Sequence, residues 1–401
     1  MIKHLFKLMW NRKRSTALLF VEIFLSFLVL FGVFSTIYYK YSHLSKPTGF
    51  NYKNIWDVTL NWKSEETKSI QEKLKLLVPA LKNFNEIEIA SLATDNSTPY
   101  SESQWINSYK NEQDESIGAN VNYLDDNFAE VLSLNVTDGR WFNKTEDAAT
   151  KIPVIINKMM QEKFFKNAPA VGKSIYHRNE KNEIVKEYKV IGVVQAYRYG
   201  GEFEETMPVM IHRINLEKEI KDIYPYRKLM LKMKPGTTIA FEEKLVKFLT
   251  NITDGWEINV TTVEEKRNAV IKSNILQILF PSVLAFFLIL NVGFGLMGVL
   301  WYSINRRKSE IGLRIAIGAN NKNIYEQIIG EALLLGTFAI VVGIAFALQV
   351  PILKLFKIEF VIYLISIATS SIFLYCLVTV CSFYPGMLAS KIQPVDALHN
   401  E

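Results

Sequence analysis

Hydrophobic and polar positions are spread unevenly along the chain. Four apolar stretches are each long enough to cross a bilayer, which takes about 20 residues of helix. They are TALLFVEIFLSFLVLFGVFSTIYY (16–39), ILQILFPSVLAFFLILNVGFGLMGVLWY (275–302), IIGEALLLGTFAIVVGIAFALQV (328–350) and FVIYLISIATSSIFLYCLVTVCSF (360–383). The first is too long for a signal-peptide core and no small-x-small cleavage site follows it, so it reads as a retained span. The long segment between the first and second stretches has a different rhythm. IWDVTLNW (55–62) alternates as a strand, SEETKSIQEKLKLLVPAL (64–81) has helical spacing, and EIEIASLA (86–93) alternates again. The same order recurs in RKLMLKMK (227–234), TTIAFEEKLVKFLTNI (237–252) and WEINVTTV (256–263). Right-handed crossovers would set the strands of each unit side by side, and the two units would pack as one α/β layer pair. The intervening residues would form a second, strand-rich lobe, with YKVIGVVQAYRY (188–199) as its clearest strand.

The periodicity predicts a fold class: an α-helical membrane protein with four transmembrane helices and a large α/β (α+β) extracytoplasmic domain between the first and second spans. Its parts are a cytoplasmic elbow helix (1–15), spans at 16–39, 275–302, 328–350 and 360–383, and an extracytoplasmic domain with two lobes and a membrane-proximal stalk (40–272). A cytoplasmic loop (303–326), a short external loop (351–359) and a cytoplasmic tail (384–401) complete it. In the elbow, Ile2, Leu5, Phe6 and Met9 share one helical face, Lys3, His4 and Lys7 another, and Trp10 would anchor the interface. A plain basic tail is the alternative. VEEKRNAVIKSNILQILF (263–280) runs into the second span without a breaker, and Pro281 would kink it there. A continuous stalk of this kind can pass force, whereas a flexible tether cannot.

Charge supplies the orientation. Residues 1–15 carry five basic residues (Lys3, Lys7, Arg12, Lys13, Arg14) and no acid, and residues 303–326 carry five basic residues against Glu310 and Glu326. Residues 43–272 are balanced, with 32 basic and 33 acidic side chains. Positive charge marks the cytoplasmic side, so both termini and the loop at 303–326 face inward, and residues 40–272 lie outside. The net charge of +6 therefore reports topology and is no nucleic-acid footprint. The two cysteines, Cys376 and Cys381, lie in the fourth span, so the external domain must fold without disulfides. Asn-x-Ser/Thr triplets at Asn96, Asn135, Asn143, Asn251 and Asn259 read as ordinary polar loops.

Familiar catalytic chemistry is missing. The five histidines are dispersed and lack metal-ligand spacing, and no nucleophile-base pairing can be assembled from them. VGKS (171–174) resembles the end of a phosphate-binding loop, but Asn167 stands where that loop requires glycine, so the stretch reads as a turn before a strand at Ser174. No cofactor is expected on this chain, and no enzyme activity of its own. Three features inside the apolar stretches remain. Glu22 lies about two turns into the first span, where a carboxylate costs about 2.5–3.5 kcal/mol at mid-membrane and less near an interface. It is expected to pair across a helix interface; snorkelling to the headgroups and a proton site are the alternatives. Ala332 and Gly336, then Ala339, Gly343 and Ala347, form a line of small residues on the third span suited to close helix approach. Gly293, Gly295 and Gly298 are less regular.

The loop RRKSEIGLRIAIGANNKNIYEQ (306–327) is the most informative stretch. Ser309 to Ile317 can make two helical turns, Glu310 and Arg314 stand four apart with the acid first, and Gly318 suits a helix stop. Ile311, Leu313, Ile315 and Ile317 give so short an element much apolar surface, while Asn323 and Glu326 form a capping-box-like start for the third span. The stretch reads either as a short helix offering an apolar surface to a partner or as an ordinary basic loop.

Here the chain resembles the MacB/FtsX-type permease subunits of ABC transporters. The family's acidic-Ile-Gly-hydrophobic-Arg run ending in Gly-Ala stands as Glu310, Ile311, Gly312, Leu313, Arg314, Ile315, Ala316, Ile317, Gly318 and Ala319. Its C-terminal pattern stands as Pro394, Val395, Asp396, Ala397, Leu398 and Glu401. FKLMWNRKRST fits the basic elbow, and AVGKSIYHRNEKNEIVKEYKVIGVVQAY and LSLNVTDGRWF resemble recurrent external stretches. Many members carry a fused nucleotide-binding domain, which is lacking here, so ATP and Mg are expected on a separate ATPase partner. The resemblance implies a homodimer or a pairing with a related permease, and a coupling helix formed by Glu310, Ile311, Gly312, Leu313, Arg314, Ile315 and Gly318. It implies mechanotransmission, with stalks moving the external domains for efflux or extraction of an external or membrane-derived substrate. A periplasmic adaptor and an outer-membrane channel would complete a tripartite assembly. The alternatives are an FtsX-like regulator of a cell-envelope enzyme and a membrane-anchored receptor or scaffold.

Overall fold

The computed structural model describes residues 13–390 apart from 112–113, 167, 180, 182, 219–222, 224 and 357. The elbow over residues 2–10, Asn167 and the pattern from Pro394 to Glu401 lie outside the described residues. Helix α1 (Lys13–Leu44) leads to β1 (Ile55–Asn61), α2 (Thr67–Leu81) and β2 (Ile87–Ala93). Strands β3 (Ile106–Lys110) and β4 (Ser116–Leu124) precede α3 (Phe128–Leu132), β5 (Val136–Gly139), β6 (Ile152–Asn157) and α4 (Lys158–Phe165). Then come β7 (Ser174–Arg178), β8 (Ile184–Val194), β9 (Val209–Arg213), β10 (Lys228–Met233), α5 (Ile239–Ile252) and β11 (Glu257–Thr262). The described residues end with α6 (Val263–Arg306), α7 (Lys308–Ala316), α8 (Asn321–Ala347), the single turn α9 (Gln349–Ile352) and α10 (Phe360–Ser390). Two compact units result, one of residues 43–274 and one holding the four apolar helices.

In the first unit, β1, α2 and β2 are answered by β10, α5 and β11, but the strands interleave. Their order in the sheet is β11-β1-β10-β2, every neighbour antiparallel. The expectation that each unit's own strands lie side by side is therefore corrected. A right-handed crossover fixes handedness, and here each crossover leaves a gap one strand wide that a strand of the other unit fills. Alternation then builds two cores from one sheet. Trp56, Val58, Leu60, Leu229 and Leu231 face α2 and α5, where Ile70, Leu74, Leu77 and Leu81 recur at helical spacing. Ile55 and Met230 point the other way, into a core that also takes Val263, the first residue of α6.

The segment between β2 and β10 is the strand-rich lobe. It continues the sheet as β4-β3-β7-β8-β6-β9, with β4 also paired to β9, and α4 seats Met160 and Phe164 on its core. Gly172, at φ +87°, makes the turn before β7, which begins at Ser174. The strand expected over 188–199 runs from Ile184 to Val194 instead. Beyond it, Tyr197 to Glu202 form a loop whose side chains are buried, which is unusual because loop backbone polar groups need partners. Asn96, in one of the Asn-x-Ser/Thr triplets, is fully buried.

Helix α6 runs 44 residues through Pro281 without interruption, so the stalk segment and the second apolar stretch are one helix. Its start is fixed by a capping box: Thr262 N–H donates to Glu265 Oε2 (3.0 Å) and Glu265 N–H donates to Thr262 Oγ1 (3.0 Å). Four helices among the described residues are long and apolar enough to cross a membrane. In their unit, Gly336 lies against Val378 of α10, and a Cβ built there would stand 3.6 Å from Val378 Cγ2. Gly343 faces Phe27 of α1, and Ala332, Ala339 and Ala347 are buried beside it in the same core. The line of small residues thus serves two neighbours rather than one.

Candidate functional site

Helix α7 is separated from α6 by the single residue Arg307 and is closed by Gly318, at φ +103°. Gly318 N–H donates to Ile315 O (3.0 Å) and Ala319 N–H to Arg314 O (2.9 Å), the two bonds of a Schellman stop that the left-handed backbone of glycine permits. Asn320 then caps α8, its side chain accepting from Lys322 N–H at 3.3 Å. The expected cap at Asn323 is corrected: that residue already lies in the first turn, with its N–H on Asn320 O.

Nine residues of helix cannot hold themselves in place, since isolated helices this short are marginal. Side chains supply the hold. Arg307 Nη1 donates to both oxygens of Glu331 on α8, at 3.0 and 3.2 Å. Gln327 Nε2 donates to Glu331 Oε1 (3.1 Å), and Arg314 Nη1 to Gln327 Oε1 (3.0 Å). Arg314 Nη2 donates to Glu310 Oε1 (2.6 Å), and Glu310 lies 3.6 Å from Arg307 Nε. The five side chains close a ring that ties α7 to the first turns of α8. A cavity of about 20 Å³ sits beside it, lined by ring members with Ile311, Ile324 and Ile328, which is room for one water. The Arg307–Glu331 side chains are 11% and 16% exposed, and loss of one partner from so buried a pair costs about 3–5 kcal/mol. The Glu310–Arg314 pair, with both partners over 40% exposed, is worth far less.

The ring sorts the expected coupling residues. Ile311 and Gly312 are buried, Ile311 in the helix core, and Ile315 packs partly against that core. They are foundations for α7: Ile311 and Gly312 present no free surface, and Ile315 is half-buried. Leu313 (50% exposed) and Ile317 (78% exposed) stand four apart and share the outer face. Ile317 belongs to the expected helix and its apolar surface but not to the seven coupling residues named for it, and Arg307, Gln327 and Glu331 lie outside both. Glu331 carried a readable signal, an acid four residues into an apolar stretch, which demands a partner. Glu22 finds no such partner among the described residues: its Oε2 is buried without a hydrogen bond, in the space left by the missing side chain of Gly295 on α6. The expected pairing of Glu22 is thus replaced by packing in a glycine notch. No group of three or more His, Cys, Asp or Glu able to hold a metal occurs among the described residues.

Comparison with known proteins supplies the family. Residues 26–247 match the MacB-like periplasmic core domain, and residues 268–394 match the FtsX-like permease C-terminal domain. The chain is 26% identical over 282 residues to the macrolide export ATP-binding/permease protein MacB of Campylobacter fetus subsp. fetus, covering 68% of this chain and 42% of that protein. It is 25% identical over 288 residues to the pyoverdine export ATP-binding/permease protein PvdT of Pseudomonas fluorescens, covering 69% and 42%. The chain thus matches about two fifths of the length of these relatives. Among solved structures, the periplasmic region of MacB from Actinobacillus actinomycetemcomitans aligns at a TM-score of 0.39 with 13% identity, over 57% of this chain and 97% of that one. With a periplasmic core domain set between the first and second of four apolar helices and an FtsX-like C-terminal half, the chain belongs to the MacB/FtsX-type family of ABC transporter permeases.

Proposed function

We propose that this chain is the permease subunit of an ABC transporter whose ATPase is a separate polypeptide, and that α7 is the helix on which that ATPase acts. The carrying observation is the pairing of an exposed Leu313–Ile317 face with a ring that fixes α7 to α8. A helix that transmits force must be rigid toward its own subunit and adhesive toward its partner. The ring supplies the first property and the two exposed aliphatic side chains the second. In this reading the chain itself hydrolyses nothing, and ATP and Mg bind to the partner. Two permeases, identical or related, sit on two ATPase subunits in the inner membrane, with both termini and α7 on the cytoplasmic side. Movement of α7 passes through α6, which runs unbroken from the loop to the edge of the periplasmic domain. Work is then done on that domain by mechanotransmission, for efflux or extraction of an external or membrane-derived substrate, with an adaptor and an outer-membrane channel as further partners. Coupling of this kind needs ATP-dependent differences in contact between two states.

The test is reconstitution of the permease with a candidate ABC ATPase subunit that co-purifies with the wild-type chain. Leu313→Glu and Ile317→Glu should leave thermal unfolding of the permease within about 1 kcal/mol of wild type, since surface changes outside buried networks cost little. They should abolish co-purification with the ATPase. Wild-type complex formation by both variants would remove α7 from the coupling path.

A further inference from the structure

Arg198 sits at the centre of the buried loop, 4% exposed, and spends its guanidinium on backbone carbonyls. Nη1 donates to His43 O (3.2 Å) and Lys46 O (2.8 Å), at the end of α1 and just beyond it. Nη2 donates to Glu202 O (2.9 Å) and Glu204 O (2.6 Å) of its own loop. The Arg198 amide donates to Thr48 O at 2.9 Å, so the chain leaving α1 is bound to this loop by side chain and backbone alike. The same loop reaches α6. Glu202 accepts from Arg267 Nε (2.5 Å) with one oxygen and from the Tyr100 hydroxyl (3.1 Å) with the other. The Arg267 guanidinium lies over the Tyr52 ring, 4.5 Å from its centroid. One residue earlier, Lys266 pairs with the buried Asp57 of β1, and Val263 is fully buried. The first two turns of α6 and residues 43–48 therefore share one buried polar knot, although some 220 residues separate them in sequence.

A single guanidinium serving four carbonyls and a carboxylate with two different donors make a site of high geometric demand. Gly200 and Gly201 make the loop fit: a Cβ on Gly200 would run into the Glu204 carboxylate, and one on Gly201 into the Tyr100 ring. We propose that Arg198, Glu202 and Arg267 form a joint that binds the chain leaving the first span and the helix entering the second into one mechanical element, with Arg198 and Glu202 as positioning residues for transmission into the periplasmic domain. The joint prevents either segment from being displaced alone. It gives the permease reading its route of force and takes its purpose from that reading, but its test needs neither ATPase nor cargo.

The test is hydrogen exchange on the full-length protein in lipid nanodiscs, comparing wild type with Glu202→Gln and Arg267→Met. Both variants should exchange about tenfold faster in peptides covering 43–51 and 195–204 as well as in 263–270, while α2 and α5 keep wild-type protection, because local opening reports the cooperative unit that was broken. Arg267 touches neither His43 nor Lys46, so acceleration at 43–51 in its variant is the decisive readout. Acceleration confined to 263–270, or spread evenly through α2 and α5, would overturn the joint while leaving the permease reading intact.

Discussion

At the scale of single residues, the periplasmic domain buries two titratable groups whose responses to pH oppose each other. Burial pushes the His212 pKa down to about 3, with Lys186 adding repulsion, and its ring is packed against Tyr123 and Tyr188 with the Tyr109 hydroxyl 3.4 Å away. The unfolded chain takes up the proton first, near pH 6.5, so His212 stabilises the fold above that pH and its contribution is lost as pH falls toward 3. Asp125 behaves in reverse. Burial raises its pKa to about 6 despite hydrogen bonds from Ser91, Leu92 N–H and Asn127 N–H. The folded state then holds the proton more tightly, and the Asp125 contribution is present at low pH and lost as pH rises from about 4 to 6. Between pH 6 and 4 the two slopes cancel, each close to 1.4 kcal/mol per pH unit at most. Chemical denaturation as a function of pH, compared between wild type and a variant of each group, separates the two contributions against the shared background of carboxylates such as Glu65, whose pKa is lowered to about 2. Relative to wild type, His212→Phe should gain stability on acidification through the window, and Asp125→Asn should lose it. Parallel curves for all three proteins would show that neither group titrates as its burial requires. None of this could be read from sequence, where His212 and Asp125 are ordinary members of a strand and a turn. Glu331 differs, because an acid inside an apolar stretch announces that a partner must exist. The partner, Arg307, was hidden only by the turn that brings residues 24 apart together.

At the scale of elements, periodicity located the strands and helices at both ends of the domain, because each buries one face at a fixed repeat, but in the strand-rich lobe it marked only the strand at 188–199, which runs over Ile184–Val194. Order within the sheet was not legible. Antiparallel interleaving of β1, β10 and β2 depends on pairings more than 130 residues apart, and local pattern carries no trace of them. The line of small residues was legible as a pattern, but its division between two neighbours was not. That division has a measurable consequence. A Cβ at Gly343 would lie 3.0 Å from Phe27 Cγ and closer to Cδ1, and Phe27 is fully buried and cannot yield. Gly343→Ala should destabilise the helical unit by about 1–3 kcal/mol through overpacking. Gly336→Ala meets Val378 at ordinary contact distance and should be tolerated. Thermal unfolding of the purified protein separates the two; equal shifts would place the close approach elsewhere.

At the scale of the whole molecule, the two family matches cover residues 26–247 and 268–394. Composition and charge gave the membrane class and an orientation, and the loop at 306–319 gave the family resemblance. What that loop left open was which of its residues are foundations and which face outward, since Ile311, Leu313, Ile315 and Ile317 are alike in chemistry and differ only in what α8 and its neighbours cover. The central claim is that α7 meets its motor on the cytoplasmic side. Site-directed thiol labelling tests it most directly, using Ile317→Cys with Cys376 and Cys381 replaced by alanine, and Glu72→Cys on the exposed face of α2 as the opposite marker. A membrane-impermeant maleimide should modify position 317 in inside-out vesicles and spare it in intact spheroplasts, with the reverse at position 72. Labelling of position 317 from outside would contradict the account.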